Sequence, residues 1–140
     1  MSEENKAVVN RLYEKVWSQG NMAVIDELVA DNFVGHSQPA EIPNTREGFK
    51  IFAGMYLKAF PGMKMTVDDI ITEGDKVVAR WTAVGKHKGE LMGIPATDKD
   101  VTVTGISIDR IAGGKIVESW GEFDLAGMLT QLGVMPPMVA

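Results

Sequence analysis

The feature that most constrains the fold of this chain is a change in the spacing of its apolar residues at Pro61-Gly62. Before that point, apolar residues recur every three or four positions, which is typical of amphipathic helices. After it, they alternate with polar residues in stretches rich in Val, Ile and Thr, which is typical of β-strands. Helices followed by a run of strands predict an α+β fold, in which helices cover one face of an antiparallel sheet.

Three helices are predicted before this change. Each is bounded by residues that commonly begin or end a helix, such as a capping Asn or Thr or a following Gly. The first covers residues 4–19, the second is short and follows Asn21, and the third begins after Thr45 and ends at Pro61-Gly62. Between the second and the third, residues 31–37 predict a short strand or a turn.

Four strands are predicted after the change, joined by two tight turns and one longer connection. The turns fall at residues 73–75 and 112–114, where glycines permit a hairpin. The predicted strands cover residues 63–72, 76–86, 101–111 and 115–123. A length of 140 residues suits one domain with one core, so the prediction is a single domain over residues 1–140.

Composition excludes several classes of function. The net charge is −5 and there is no basic block, which argues against a nucleic-acid or membrane partner. Cysteine is absent, which excludes disulfides, thiolate nucleophiles and Cys-ligated metals. The chain begins with an acidic, polar segment and contains no apolar run of about 18 residues, so we expect a soluble cytoplasmic protein.

Asp124 stands where the last strand meets a short helical pattern, and two interpretations of it stay open. As an N-cap it would accept hydrogen bonds from the first turn of the helix, which would lower its pKa. As the acid/base of an active site it would need burial among apolar groups, which would raise its pKa. The two roles are compatible if one oxygen caps the helix and the other faces a cavity.

His36 and His87 are the only histidines. A neutral imidazole can relay a proton or orient a carbonyl group, so both are candidate site residues. The alternatives are a hydrogen-bonded residue at a strand end for His36 and an exposed loop residue for His87. Neither has neighbours with the spacing of metal ligands, so no metal site is predicted.

Four charged residues fall on the predicted strands: Arg80, Asp109, Arg110 and Glu118. Arg110 and Glu118 flank the same tight turn, which predicts a cross-strand ion pair. Neighbouring residues of a strand point to opposite faces, so Asp109 and Arg110 are expected on opposite faces of the sheet.

Several local strings, together with the order of elements, resemble the SnoaL-like polyketide cyclases of the nuclear-transport-factor-2-like superfamily. The resemblance covers nearly the whole chain and is most specific from Arg80 to Thr97 and in the last hairpin. The strings lie at residues 31–36, 73–78, 80–82, 85–97, 104–106, 110–111 and 114–120, and at Asp124. The resemblance implies a cone in which a curled antiparallel sheet and three N-terminal helices enclose a cavity. It also implies a homodimer formed through the outer face of the sheet.

The same resemblance implies cofactor-free acid/base chemistry, an intramolecular aldol-type closure, on an apolar carbonyl compound. Asp124 matches the position of the carboxylic acid/base in the characterised cyclases, and His36 is expected to be its polar partner. Those cyclases carry a histidine on the preceding strand, where this chain has Ile108-Asp109-Arg110. The residues expected to bind the substrate are Trp81, Trp120, Tyr56, Phe60, Arg80, His87 and Met128.

Other functions remain as alternatives. A non-catalytic module could keep the cavity and bind a small ligand, and a purely structural association domain is a further possibility. An isomerase or an epoxide hydrolase of the same fold is another, the latter using Asp109 and Asp124 with Arg80 or Arg110. The loop around residues 91–95 is unusually apolar, which favours either a lid over the cavity or a subunit contact.

Overall fold

The computed structural model describes residues 2–136, and the ends of the predicted 1–140 domain lie outside the described residues. Its helices are α1 (Ser2–Arg11), which continues as a π-helix over Leu12–Ser18, α2 (Ile25–Leu28), which follows a 3₁₀ turn at Met22–Val24, α3 (Arg46–Ala59) and α4 (Leu125–Gln131). Its strands are β1 (Val29–Gly35), β2 (Lys64–Glu73), β3 (Lys76–Lys86), β4 (Asp100–Ala112) and β5 (Lys115–Phe123). The predicted α+β fold is confirmed.

The strands form one curled, unclosed sheet in the order β1-β5-β4-β3-β2. Every neighbouring pair is antiparallel except β1 and β5, which are parallel. The sequence predicted an antiparallel sheet and left β1 open as a strand or a turn. The one parallel pair joins the first and last strands, which no hairpin connects, and parallel strands require such a long connection.

The hairpin between β4 and β5 shows why its sequence predicts a tight turn. Gly113 and Gly114 both adopt positive φ angles, 60° and 78°. Side chains disfavour this region, whereas glycine enters it without steric cost. The two positive angles match the turn that suits the right-handed twist of paired strands. The turn pairs Ala112 with Lys115, and a bulge between Arg110 and Ile111 then shifts the register so that Asp109 lies opposite Ser119.

Alternation along β3 separates the two faces of the sheet. Val77, Ala79 and Trp81 are buried and point to the helices. Their neighbour Arg80 is exposed and points to the outer face. The core therefore lies between the concave inner face of the sheet and α1 and α3.

Candidate functional site

A cavity of about 170 Å³ lies between the inner face of the sheet and the helices. Its walls are mainly apolar and aromatic, which suits an apolar ligand with flat rings. The aromatic walls include Trp17, Phe49, Phe52, Tyr56, Trp81 and Phe123. Tyr56 packs edge-on against Phe123, with 6.0 Å between ring centroids, so the wall is continuous from α3 to β5.

The polar groups of the wall fall into two sets. Ser37 is exposed and stands with Gln38 at the open side of the cavity, where Glu122 borders the wall but pairs with Ile106, so its side chain points to the outer face. The inner set comprises Tyr13, Ser107, Asp109 and Ser119. Ser107 and Asp109 are two residues apart on β4, so both point inward. The cavity therefore combines apolar walls with a small group of convergent polar side chains.

Asp109 is the central residue of the inner set. It is only 3% exposed, and burial raises its pKa from an ordinary value of 3.8 to about 6. A hydrogen bond with the Ser119 side chain, its neighbour on β5, acts in the opposite direction. A carboxyl group whose pKa lies this close to neutrality can both accept and return a proton at physiological pH.

Tyr13 faces the same end of the cavity from the π-helical segment. Burial raises the pKa of its phenol well above the usual range, and the negative charge of Asp109 raises it further. A hydrogen bond with Ser107 lowers it, but less strongly. Tyr13 is therefore a neutral hydrogen-bond donor at any physiological pH.

Ser107 links Tyr13 to the aromatic wall. The indole nitrogen Nε1 of Trp81 donates to Ser107 Oγ at 3.3 Å. Trp81, Ser107 and Tyr13 thus form one chain of hydrogen-bonded side chains that crosses from β3 over β4 to the first helix.

Four of the predicted substrate-binding residues lie in the cavity wall: Tyr56, Phe60, Trp81 and Met128. They come from α3 and the residue that follows it, from β3 and from α4, and they supply apolar surface. Burial alone raises the pKa of Tyr56 to about 12, so its phenol also stays neutral.

The structure does not bring Asp124 into the described wall of the cavity. Asp124 is exposed, and its Oδ1 accepts a hydrogen bond from the backbone N–H of Gly127 at 2.9 Å. It is the N-cap of α4. The geometry therefore matches the capping interpretation of this residue, and the inward-facing carboxyl group belongs to Asp109 instead.

His36 and Trp120 lie together on the outer face of the sheet. Their rings stack at 4.7 Å and 8°, and His36 Nε2 lies 2.8 Å from Glu118 Oε2. Neither belongs to the described cavity wall, although Gly35 and Ser119 beside them do. The expectation that His36 and Trp120 face the ligand is corrected by strand alternation, which turns adjacent residues to opposite faces.

The charged residues of the outer face pair with one another. Arg110 Nε donates to Glu118 Oε1 at 2.6 Å, which confirms the predicted cross-strand ion pair. Arg110 and then His36 hold the pKa of Glu118 below its usual range. Arg80 lies on the same face and donates to Asp69 Oδ2 at 2.6 Å, so its expected place in the substrate site is corrected. With Arg80, Arg110 and Asp124 all outside the cavity wall, the set for epoxide hydrolysis is not assembled.

His87 is fully buried rather than exposed in its loop, and it lies outside the described cavity wall. The backbone N–H of Thr97 donates to its Nδ1 at 3.2 Å, which makes Nδ1 an acceptor. The ring packs against Phe60, with 5.3 Å between centroids. Nε2 has no hydrogen-bond partner among the described residues. His87 therefore anchors the loop between β3 and β4.

The apolar loop at residues 91–95 does not act as a lid in this structure. Leu91 is buried in the core and pairs with Ile94, with N···O distances of 3.0 and 2.8 Å. Within residues 2–136, no side chain of this loop belongs to the cavity wall. Of the two alternatives, only a subunit contact remains open, through the exposed Met92.

Sequence reasoning missed Tyr13, Ser107 and Ser119, and it weighed Asp109 only as part of an epoxide-hydrolase set. The pattern of apolar residues on β4 could have indicated that Asp109 is buried. Val101, Val103 and Ile111 alternate as buried residues, and Asp109 falls on the same parity. A carboxylate in phase with the buried positions of a strand is a candidate for a perturbed pKa.

No helix in the described part of the chain is long and apolar enough to span a membrane. The same residues contain no group of three or more His, Asp or Glu side chains arranged to hold a metal ion.

Comparisons with known proteins agree with the fold. The family model described as SnoaL-like polyketide cyclase matches residues 7–132. IdmH, a proposed polyketide cyclase from Streptomyces antibioticus, is 35% identical, with 93% of this chain and 99% of that chain covered and a TM-score of 0.80. A proposed polyketide cyclase from Bacillus cereus is 30% identical, with 94% and 82% covered and a TM-score of 0.82.

A third similar structure is named for a different reaction. AclR, a proposed hydroxylase from Streptomyces galilaeus, is 26% identical, with 99% of this chain and 87% of that chain covered and a TM-score of 0.88. No curated protein matches the chain. Because one fold can support several reactions, the reaction must be argued from the side chains of the cavity.

Proposed function

This chain belongs to the SnoaL-like polyketide cyclase family, and from that premise we propose that it catalyses cofactor-free acid/base chemistry on an apolar carbonyl compound. The observation that carries the proposal is the buried carboxyl group of Asp109, with a pKa of about 6, inside a largely aromatic cavity. In this proposal Asp109, not Asp124, is the general acid/base.

The reaction that fits is an aldol-type ring closure. The Asp109 carboxylate removes a proton from the carbon next to a carbonyl group, and the C–H electron pair forms the enolate. The enolate carbon then attacks a second carbonyl carbon of the same molecule. A C–C bond forms, and the new alkoxide takes the proton back from Asp109. No electrons are gained or lost, and Asp109 returns to its starting state.

The charges of the wall favour an uncharged substrate. Asp109 brings a carboxyl group to the inner end of the cavity, whereas no Lys, Arg or His is among its described lining residues. A ligand with a carboxylate or phosphate would be buried without a cation to pair with, which is costly. Ketones and esters are therefore the expected substrates, and free acids are expected to bind poorly.

The test is exchange of carbon-bound protons in D₂O, with α-tetralone as the probe ketone and NMR as the measurement. We expect the protein to accelerate loss of the α-proton signal. Asp109→Asn should lower that acceleration about a hundredfold or more, because it removes the carboxylate base at the inner end of the described cavity. Asp124→Asn is the matched control, since it makes the same chemical change at an exposed carboxyl group.

Three results would contradict the proposal in different ways. Loss of exchange in Asp124→Asn with full exchange in Asp109→Asn would return the acid/base role to Asp124. Equal exchange in both variants and the parent would mean that neither carboxyl group acts. Binding of α-tetralone without any exchange would favour the alternative function, a non-catalytic ligand-binding module.

A further inference from the structure

We propose that Tyr13 is a second catalytic residue, whose hydroxyl group donates a hydrogen bond to the substrate oxygen that becomes negative as Asp109 removes the α-proton. This inference rests on the proposed function and adds a group to it. In the step, the carbonyl π pair moves to oxygen, the C–H pair forms the C=C bond, and the proton goes to Asp109. Tyr13 keeps its own proton throughout.

The first support is the local backbone at Tyr13. The helix changes from α to π at Leu12 and stays π through Ser18. π-Helical turns are rare and are often found at functional sites. Leu12, Tyr13 and Trp17 of this segment all line the cavity. The unusual geometry therefore falls on the turns that present side chains to the ligand.

The second support is the direction of the hydrogen bonds. An indole N–H can only donate, so the bond from Trp81 occupies an acceptor site on Ser107 Oγ. Ser107 keeps its own hydroxyl proton, which it can donate to the phenolic oxygen of Tyr13, its other hydrogen-bond partner. Tyr13 then has its own proton left to donate. In this arrangement, the chain from Trp81 through Ser107 leaves the proton of Tyr13 for a ligand in the cavity.

The third support is the pairing of Tyr13 with Asp109. Tyr13 is 5% exposed and close enough to Asp109 for its charge to raise the pKa of the phenol. A neutral donor and a carboxylate base therefore face the same inner end of a largely apolar cavity. Preorganised donors in such sites stabilise a developing oxyanion far more strongly than water does.

Tyr56 provides an internal comparison. It also lines the cavity, but its ring packs between Phe52 and Phe123, at 5.1 and 6.0 Å. Burial is the only cause found to raise its pKa, and no hydrogen bond or ion pair of its phenol is found within residues 2–136. Removing the hydroxyl group of Tyr13 should therefore cost much more than removing that of Tyr56.

The kinetic test uses α-tetralone exchange in D₂O across a range of pH. Tyr13→Phe should lower the maximal exchange rate about a hundredfold with little change in KM. The midpoint of the pH profile should stay near the pKa of Asp109, because the base is intact. Glu14→Gln is the control for disturbance of the π-helical segment, since Glu14 is exposed and adjacent to Tyr13. Ser107→Ala should give a smaller loss, because it acts through the orientation of Tyr13.

An equilibrium test needs no turnover. In the Asp109→Asn background, para-nitrophenol binds without a carboxylate charge beside it, and its neutral and ionised forms differ in absorbance. Tyr13→Phe should weaken binding of the phenolate about tenfold or more, since hydrogen bonds to charged groups are the stronger ones. Tyr56→Phe should weaken it less.

The outcomes separate the two proposals. If Asp109→Asn abolishes exchange and Tyr13→Phe does not slow it, the role of Tyr13 is overturned and the proposed function stands. If the parent protein does not exchange α-tetralone, the proposed function fails. The phenolate titration then decides on Tyr13 by itself, and equal affinity with and without its hydroxyl group overturns the inference.

Discussion

The indole ring of Trp81 occupies the space that a β-carbon on Gly105 would need. The two residues are register partners on β3 and β4, and three atoms of the ring would lie within 2.7 Å of such a carbon. The ring therefore lies flat against β4, where its Nε1 reaches Ser107, two residues further along the strand. Because Gly105 has no side chain, the Trp81 ring can pack directly against β4, and this packing positions the part of the cavity wall that Trp81 forms.

Gly105→Ala is predicted to displace Trp81 and to break its bond to Ser107. We expect a loss of about 1–3 kcal/mol in the free energy of unfolding, measured by urea denaturation, because overpacking a rigid core forces side chains to shift. Gly121→Ala is the matched control, since its β-carbon would meet Ser107 Oγ only at 3.4 Å. Similar losses in both variants would contradict the importance of the Trp81 contact.

Asp109→Asn is predicted to stabilise the protein above pH 6 while removing its acid/base group. The folded-state pKa is raised from 3.8 to about 6, so the folded protein binds more protons than the unfolded chain between these values. Stability contributed by this site is therefore lost as the pH rises through that window. At about 1.4 kcal/mol for each pKa unit, the variant should gain up to about 3 kcal/mol at pH 7.

The measurement is the free energy of unfolding of both proteins at pH 4 and at pH 7. The difference between variant and parent should be small at pH 4 and should grow toward pH 7. A difference that does not depend on pH would mean that Asp109 has an ordinary pKa in the folded protein. The result bears directly on its role, since a buried carboxyl group that costs stability is expected where function requires it.

Asp124→Ala is predicted to cost about 1 kcal/mol of stability, because the N–H of Gly127 loses its acceptor at the start of α4. Asp124→Asn should restore most of that loss, since asparagine caps a helix equally well. Urea denaturation measures both. If asparagine proves as destabilising as alanine, the role of Asp124 involves its charge and not only the cap.

The sequence predicted the elements of this fold well because each rests on a local signal. Thr45 was expected to cap α3, and its side chain accepts from Gly48 N at 3.2 Å. The bounds predicted for β3 and β5 are those observed. Hydrophobic period, caps and turn glycines all act over a few residues, so they can be read without knowing the tertiary structure.

The site was harder to predict because both faces of the sheet carry apolar and charged residues. Arg80 and Trp81 were both expected at the ligand, although adjacent residues of a strand face opposite sides. His36 and Trp120 form a stacked pair, but on the outer face. Alternation shows which residues share a face, whereas only the tertiary structure shows which face is concave.

Tyr13 could not be found from the sequence for a different reason. The apolar positions of its helix predict an ordinary amphipathic α-helix. We find no local sequence signal for the change to π-helical geometry at Leu12. Its proposed role depends on its proximity to Ser107 and Asp109, which are more than ninety residues away in the chain. Such long-range proximity exists only in the folded protein.

His87→Ala is predicted to destabilise the protein by about 2–4 kcal/mol, since it leaves a cavity in a fully buried site and removes the acceptor of the Thr97 N–H. Thermal unfolding measures the effect. Lys88→Ala is the control in the same loop, because it removes only an exposed ion pair with Asp98 at 2.9 Å. An equal loss in the control would mean that the loop is not anchored through His87.

The expected homodimer, formed through the outer face of the sheet, gives a last prediction. Ile71 and Ile106 project from that face and are 63% and 48% exposed in the single chain, which leaves apolar surface for a partner. We predict that the protein sediments as a dimer of its 15.2 kDa chain and that Ile106→Lys shifts it to monomer, because a buried unpaired charge opposes association. Ile51→Lys is the matched control, since Ile51 is 56% exposed on α3, away from the sheet. A monomeric parent protein, or dissociation caused by Ile51→Lys but not by Ile106→Lys, would contradict an interface on this face.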